Sequence, residues 1–88
     1  MDAKALVAWN VRRIRVAAGV SQEQLAGDAG VDRTYVGRVE RELENPTVNN
    51  LEKLASALSV HISELFRQPV PGELNPEPMK GGRRPKIG

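Results

Sequence analysis

Two guanidinium groups five residues apart, Arg33 and Arg38, are the side chains of this sequence best suited to specific chemistry. Each is a planar fork of N–H donors that can bond two acceptors on one edge of a guanine, and Thr34 adds a hydroxyl or, for thymine, a methyl. The opposing reading is a solvated face on which these arginines pair with Glu23, Glu42 or another nearby carboxylate. Nothing comparable supports catalysis. His61 is the single histidine and there is no cysteine, which excludes histidine-cluster and thiolate metal sites, disulfides and cysteine nucleophiles. No enzyme, cofactor or metal is expected. Trp9, Tyr35 and Phe66 are scattered, so a base-stacking platform also lacks support.

The elements that must position these arginines are helical. With 88 residues the chain holds one small core, and its composition changes after residue 66. Residues 67–88 contain five of the six prolines and four of the eight glycines with few large apolar side chains, the signature of a flexible tail. Charge divides at the same point: residues 1–66 carry 8 basic and 9 acidic side chains, residues 67–88 carry 5 and 2. The overall +2 therefore comes from the tail, and a folded domain at −1 must bind through a local patch. No apolar run approaches the roughly 18 residues of a membrane span, and a cytoplasmic protein is expected.

Val7, Val11, Ile14 and Ala18 stripe a first helix closed by Gly19. Ser21 and Gln24 form a capping box for a second, which buries Leu25, Ala26 and Ala29 and ends at Gly30. Asp32 is the cap of a third, with Val36 and Val39 inward and Arg33, Thr34 and Arg38 outward. Thr47 caps a fourth, striped by Leu51, Leu54, Ala55 and Leu58, and a fifth spans about Ile62 to Phe66 behind a His61 cap. A five-helix, all-α bundle follows. Within it, small Ala26 and Gly30 let the second and third helices approach closely at an open angle, a helix-turn-helix.

From Ser21-Gln22-Glu23-Gln24-Leu25-Ala26 through Arg33-Thr34-Tyr35-Val36 and Asn45-Pro46-Thr47 to Leu51-x-x-Leu54-Ala55, the chain resembles the lambda-repressor/Cro (XRE-type) DNA-binding domain. The wording is most similar to restriction-modification controller proteins. The resemblance covers residues 6–66 and implies a recognition helix from Arg33 to about Arg41, with Arg33, Thr34 and Arg38 on bases. It implies phosphate or bracing duty for Gln22, and phosphate contacts for Thr47, Asn49 and Asn50; the alternative for Thr47 is only to cap its helix, and the Tyr35 hydroxyl reaches a phosphate or packs on the fourth helix. It also implies a partly buried ion pair between Arg15 and Glu40. Gly37 costs its helix about 1 kcal/mol relative to alanine, either for close approach or by drift. The family's usual Glu-x-Gly reads Glu40-Arg41-Glu42 here, so either the third helix runs on or Asn45 takes the left-handed position.

One such module reads only a few base pairs, so a homodimer on a palindromic double-stranded DNA operator is expected, with Ile62, Leu65 and Phe66 as interface unless they only close the bundle. A helical wheel sets Trp9 and Val16, bracketed by Arg12 and Arg13, opposite the core stripe, as a face for a protein partner, a second subunit or the tail. The competing function is an antitoxin or other protein-interaction subunit with autoregulatory DNA binding. No small-molecule ligand is expected.

Overall fold

Side-chain caps and left-handed residues punctuate the chain where its hydrophobic pattern changes. The computed structural model describes residues 1–70, and the proline-rich basic tail beyond Val70 lies outside the described residues. Helix α1 (Ala3–Ala18) starts under Asp2, whose carboxylate accepts the Ala5 amide at 2.9 Å, and stops at Gly19 with φ 72°. Helix α2 (Gln22–Ala29) starts under Ser21, whose hydroxyl accepts the Gln24 amide at 3.0 Å, and stops at Gly30 with φ 74°. Helix α3 (Tyr35–Glu40) and helix α4 (Val48–Ala57) follow, the latter capped by Thr47 through the Asn50 amide at 3.0 Å. Ser59 turns the chain away from α4 at φ 61°. Ala18, placed in the inward stripe by periodicity, is exposed.

The fifth segment, Ile62–Phe66, is a 3-10 turn, so the described residues form four α-helices and not five. Its length explains the difference. Only five residues separate His61 from the extended backbone of Arg67 (φ −68°, ψ 131°), and runs that short favour i→i+3 bonding. The His61 Nδ1 caps the turn by accepting the Ser63 amide at 3.1 Å.

The core gathers Val7 and Val11 of α1, Leu25 and Ala26 of α2, Val36 and Val39 of α3, Leu51, Leu54, Ala55 and Leu58 around α4, and Leu65 of the 3-10 turn. Leu65 has no accessible surface, which removes it from the expected dimer interface; Ile62 is partly buried against the core and Phe66 alone of the three is well exposed. The Trp9 face is corrected in the same way. Trp9 is 7% exposed, beneath the guanidinium groups of Arg13 (5.2 Å from its ring centroid) and Arg67 (5.7 Å). Arg12 and Val16 are half-buried. The wheel located the core stripe on α1 but could not foresee that the 3-10 turn and Arg67 return across the opposite side.

That return is fastened by Asn10, which is completely buried. Its Nδ2 donates to the carbonyls of Leu6 (3.1 Å), Leu65 (3.0 Å) and Arg67 (2.9 Å), and its Oδ1 accepts from Arg13 Nε (3.1 Å) and a terminal Arg13 nitrogen (2.8 Å). Arg67, assigned to the tail by composition, is thus held by the domain.

Neither sequence alternative for the end of α3 is realised. Glu42 itself takes the left-handed conformation at φ 62°, with its amide bonded to the Val39 carbonyl (3.0 Å) and the Leu43 amide to the Arg38 carbonyl (2.8 Å). This is the backbone that glycine adopts at no steric cost and an L side chain adopts at about 1–2 kcal/mol. Glu42→Gly is therefore expected to stabilise the domain by about 1 kcal/mol. A rise in melting temperature of roughly 4–8 °C checks it.

Candidate nucleic-acid interface

The candidate surface is built on one buried carboxylate. Glu40, at the end of α3, has a wholly inaccessible side chain and receives four donors. Arg15 of α1 bonds it bidentately, Nε to Oε2 at 2.7 Å and a terminal nitrogen to Oε1 at 3.0 Å, and Arg15 also donates to the Val20 carbonyl at 2.9 Å. Gln22 Nε2 (2.9 Å) and Arg12 Nε (3.3 Å) complete the set on Oε1. Burial pushes the Glu40 carboxyl up, but the hydrogen bonds from Arg15, Gln22 and Arg12 and the charge of Arg15 outweigh it and hold the group below its ordinary range. One side chain thereby joins α1, α2 and α3.

Gly37 makes this possible. A Cβ there would press on Gln22 Oε1 at 3.2 Å and touch Arg41 at 3.5 Å, so the absent side chain leaves Gln22 unhindered as it bonds Glu40. Of the two duties open to Gln22, the bracing one is occupied.

Ahead of α3, Asp32 closes a turn over Arg33 and Thr34. Its carboxylate accepts the Thr34 amide (3.0 Å) and hydroxyl (2.6 Å), and its carbonyl accepts the Tyr35 amide (2.9 Å). The Thr34 bonds hold the Asp32 carboxyl below its ordinary range. Arg33 and Thr34 thus occupy this turn rather than the first two positions of the helix, and the Thr34 hydroxyl hydrogen is committed to Asp32. The residue remains solvent-exposed.

An open groove runs between the start of α2 and α3, lined by Ser21, Gln22, Glu23, Arg33, Thr34, Gly37 and Arg41. Arg33 is bonded there to Glu23, both largely exposed. Arg38 stands apart, its Nε bonded to Glu44 at 2.6 Å. Tyr35 packs against the core and its hydroxyl accepts from Asn50 Nδ2 at 3.3 Å, which leaves the phenolic hydrogen available to an outside acceptor. Asn49 is not brought to this surface: it lines a separate groove with Asp28, Glu52 and Lys53. Arg41 was not singled out from sequence. Its signal was the i+4 spacing from Gly37, which places both on one side of the helix.

Arg15→Ala leaves Glu40 buried without its main partner, at an expected cost of about 3–5 kcal/mol. Denaturant unfolding should register that loss, and intact stability with lost ligand binding would reverse the assignment. Acid tests the same group from the other side. Its folded carboxyl titrates below the ordinary value of 4.5, so its stabilisation is complete above that pH and is lost as pH falls through the folded pKa. The melting-temperature difference between wild type and Glu40→Gln should therefore shrink below pH 4.5.

Comparison with known proteins places this arrangement in a family. Residues 11–65 match the helix-turn-helix family HTH_3. The chain is 47% identical over 68 residues to a hypothetical transcription factor of Neisseria meningitidis, covering 77% of this chain and 64% of that protein's length. It is 46% identical over 66 residues to the control protein C.SmaI of Serratia marcescens, covering 75% and 79%. Among solved structures, the restriction-modification controller protein C.AhdI of Aeromonas hydrophila superposes with a TM-score of 0.69 at 44% identity, over 72% of this chain and 96% of that one. The chain belongs to the XRE-type helix-turn-helix family, HTH_3.

Proposed function

We propose that the protein is a sequence-specific, double-stranded DNA-binding transcriptional regulator that acts as a homodimer on a palindromic operator. The observation that carries this reading is an exposed turn bearing Arg33 and Thr34 followed by the exposed Arg38 of α3, a helix anchored to two others through buried Glu40. A rigid projecting helix end of that kind fits a DNA major groove, where Arg33 and Arg38 can bond guanine O6 and N7. The ion pair that now occupies a terminal nitrogen of Arg33 is largely solvent-exposed, and such pairs are worth about 0–1 kcal/mol, less than a bidentate base contact. The Tyr35 hydroxyl, Arg41 and the N-terminal turns of α2 and α4 supply phosphate contacts, which set register without reading sequence. The relatives named as control proteins support the regulatory role.

For dimerisation, Phe66 (42% exposed) and Val48 (72%) flank an apolar groove with Ala3, Val7, Pro46 and Leu51. A second copy of the chain is the proposed occupant. The competing interaction-subunit reading rested on Trp9 or on the basic tail; Trp9 lies beneath Arg13 and Arg67, and the tail lies outside the described residues.

Selection from a randomised duplex pool should return a palindrome, and its absence overturns the proposal. On the selected site, Arg33→Ala should relax preference at one base pair by about 1–3 kcal/mol, whereas uniform weakening across all sequences removes its base-reading role. Phe66→Asp should shift sedimentation toward monomer with the thermal melt retained; an unchanged dimer excludes this groove.

A further inference from the structure

The arginines facing the proposed DNA surface are bonded to their carboxylates in different ways, and the difference has a use. Arg33 gives a terminal nitrogen to Glu23, and the two side chains are 75% and 61% exposed. That terminal edge is one a guanine can use, so Glu23 competes with a base for it. Arg38 instead gives its Nε to Glu44, at 2.6 Å, so the bond falls outside the edge formed by its two terminal nitrogens. This second pair is also the more sheltered, at 47% and 27% exposure. Arg41, on the neighbouring part of the surface, has no carboxylate partner among the described residues and is suited to generic phosphate contact.

Glu44 reaches Arg38 because of the backbone that ends α3. The left-handed Glu42 reverses the chain, and the Leu43 amide bonds to the carbonyl of Arg38 itself, at 2.8 Å. The next residue, Glu44, is thereby brought back beside the Arg38 side chain six positions earlier. A backbone bond and a side-chain bond from adjacent residues thus both end on Arg38.

We propose that Glu44 is a specificity-determining positioning residue: it holds Nε of Arg38 so that only the terminal edge of the guanidinium faces the base pairs, and it keeps a negative charge beside that edge. This rests on the DNA-binding function proposed above. The held fork has less rotamer freedom to lose when it meets two acceptors in one plane. The retained carboxylate repels DNA phosphates, so an Arg38 that strays to the backbone gains no net cationic contact, whereas an Arg38 bonded end-on to guanine keeps Glu44 as partner. Glu44 therefore favours the base over the backbone, and Glu23 does not, because it is bonded to the terminal edge itself and competes with the base there.

The test uses the full chain, the duplex obtained by randomised selection and a random-sequence duplex of equal length. Arg38→Ala first identifies the base pair whose preference depends on Arg38. At that base pair Glu44→Gln should lose about tenfold in discrimination while its affinity for random DNA rises, with an unchanged thermal melt. Glu44→Asp retains the charge but is one methylene too short to hold Nε; it should lose the discrimination and keep the low random-DNA affinity. Glu23→Gln should raise affinity for both duplexes without changing the preference at that base pair. Full discrimination in Glu44→Gln overturns the inference while leaving the function standing, and a wild-type chain that selects no site overturns both.

Discussion

The fold and its outward surface depend on the cost of keeping one carboxylate dry. Glu40 stands at the junction of three helices with no accessible side-chain surface, a position that is unfavourable unless the carboxylate is paired and hydrogen-bonded. Arg15 and Arg12 from α1 and Gln22 from α2 supply those bonds. Because removal of any donor weakens the reason for the others, α3 has little freedom to tilt against α1 and α2. The face carrying Arg33 and Arg38 inherits that rigidity, and its geometry is set before any ligand arrives. Gly37 belongs to the same device, since a side chain there would press on Gln22.

The helix order and most caps were legible in sequence because they rest on local chemistry. Ser21, Thr47, Gly19 and Gly30 act through bonds or backbone conformations within a few residues of themselves. The roles of Trp9, Asn10 and Leu65 were not, because each is decided by chain 50 or more residues away. A helical wheel for α1 contains no information about what crosses its far side, so Trp9 read as exposed. Leu65 read as spare apolar surface because Ile62–Phe66 is too short to show which of its side chains turns inward. Asn10 gave no signal at all: a lone asparagine among apolar residues looks like surface until the carbonyls of Leu65 and Arg67 are set against it.

The site was legible as a set of residue types and less so as geometry. Arg33, Thr34, Arg38 and Tyr35 lie on or around α3, but Asn49 faces another groove. The turn at Glu42 was the hardest feature to anticipate. Sequence supplies only the absence of glycine, and the chain resolves that absence by accepting strain at a glutamate instead of lengthening the helix or deferring to Asn45. Strain of this kind persists where the surrounding bonds over-determine the backbone, as the Val39 and Arg38 carbonyls do here.

The bonds that close Asn10 have a temporal consequence. Its partners Leu65 and Arg67 lie 55 and 57 residues downstream, so α1 cannot be sealed until nearly the whole domain has been synthesised. A chain emerging from the ribosome therefore displays α1 with Trp9 and Asn10 uncovered while α2, α3 and α4 are already free to associate. The entropy of closing a loop grows only slowly with its length, so this late step is thermodynamically cheap even though it is necessarily last in vectorial synthesis. The domain reaches its full cooperativity when its last turn arrives.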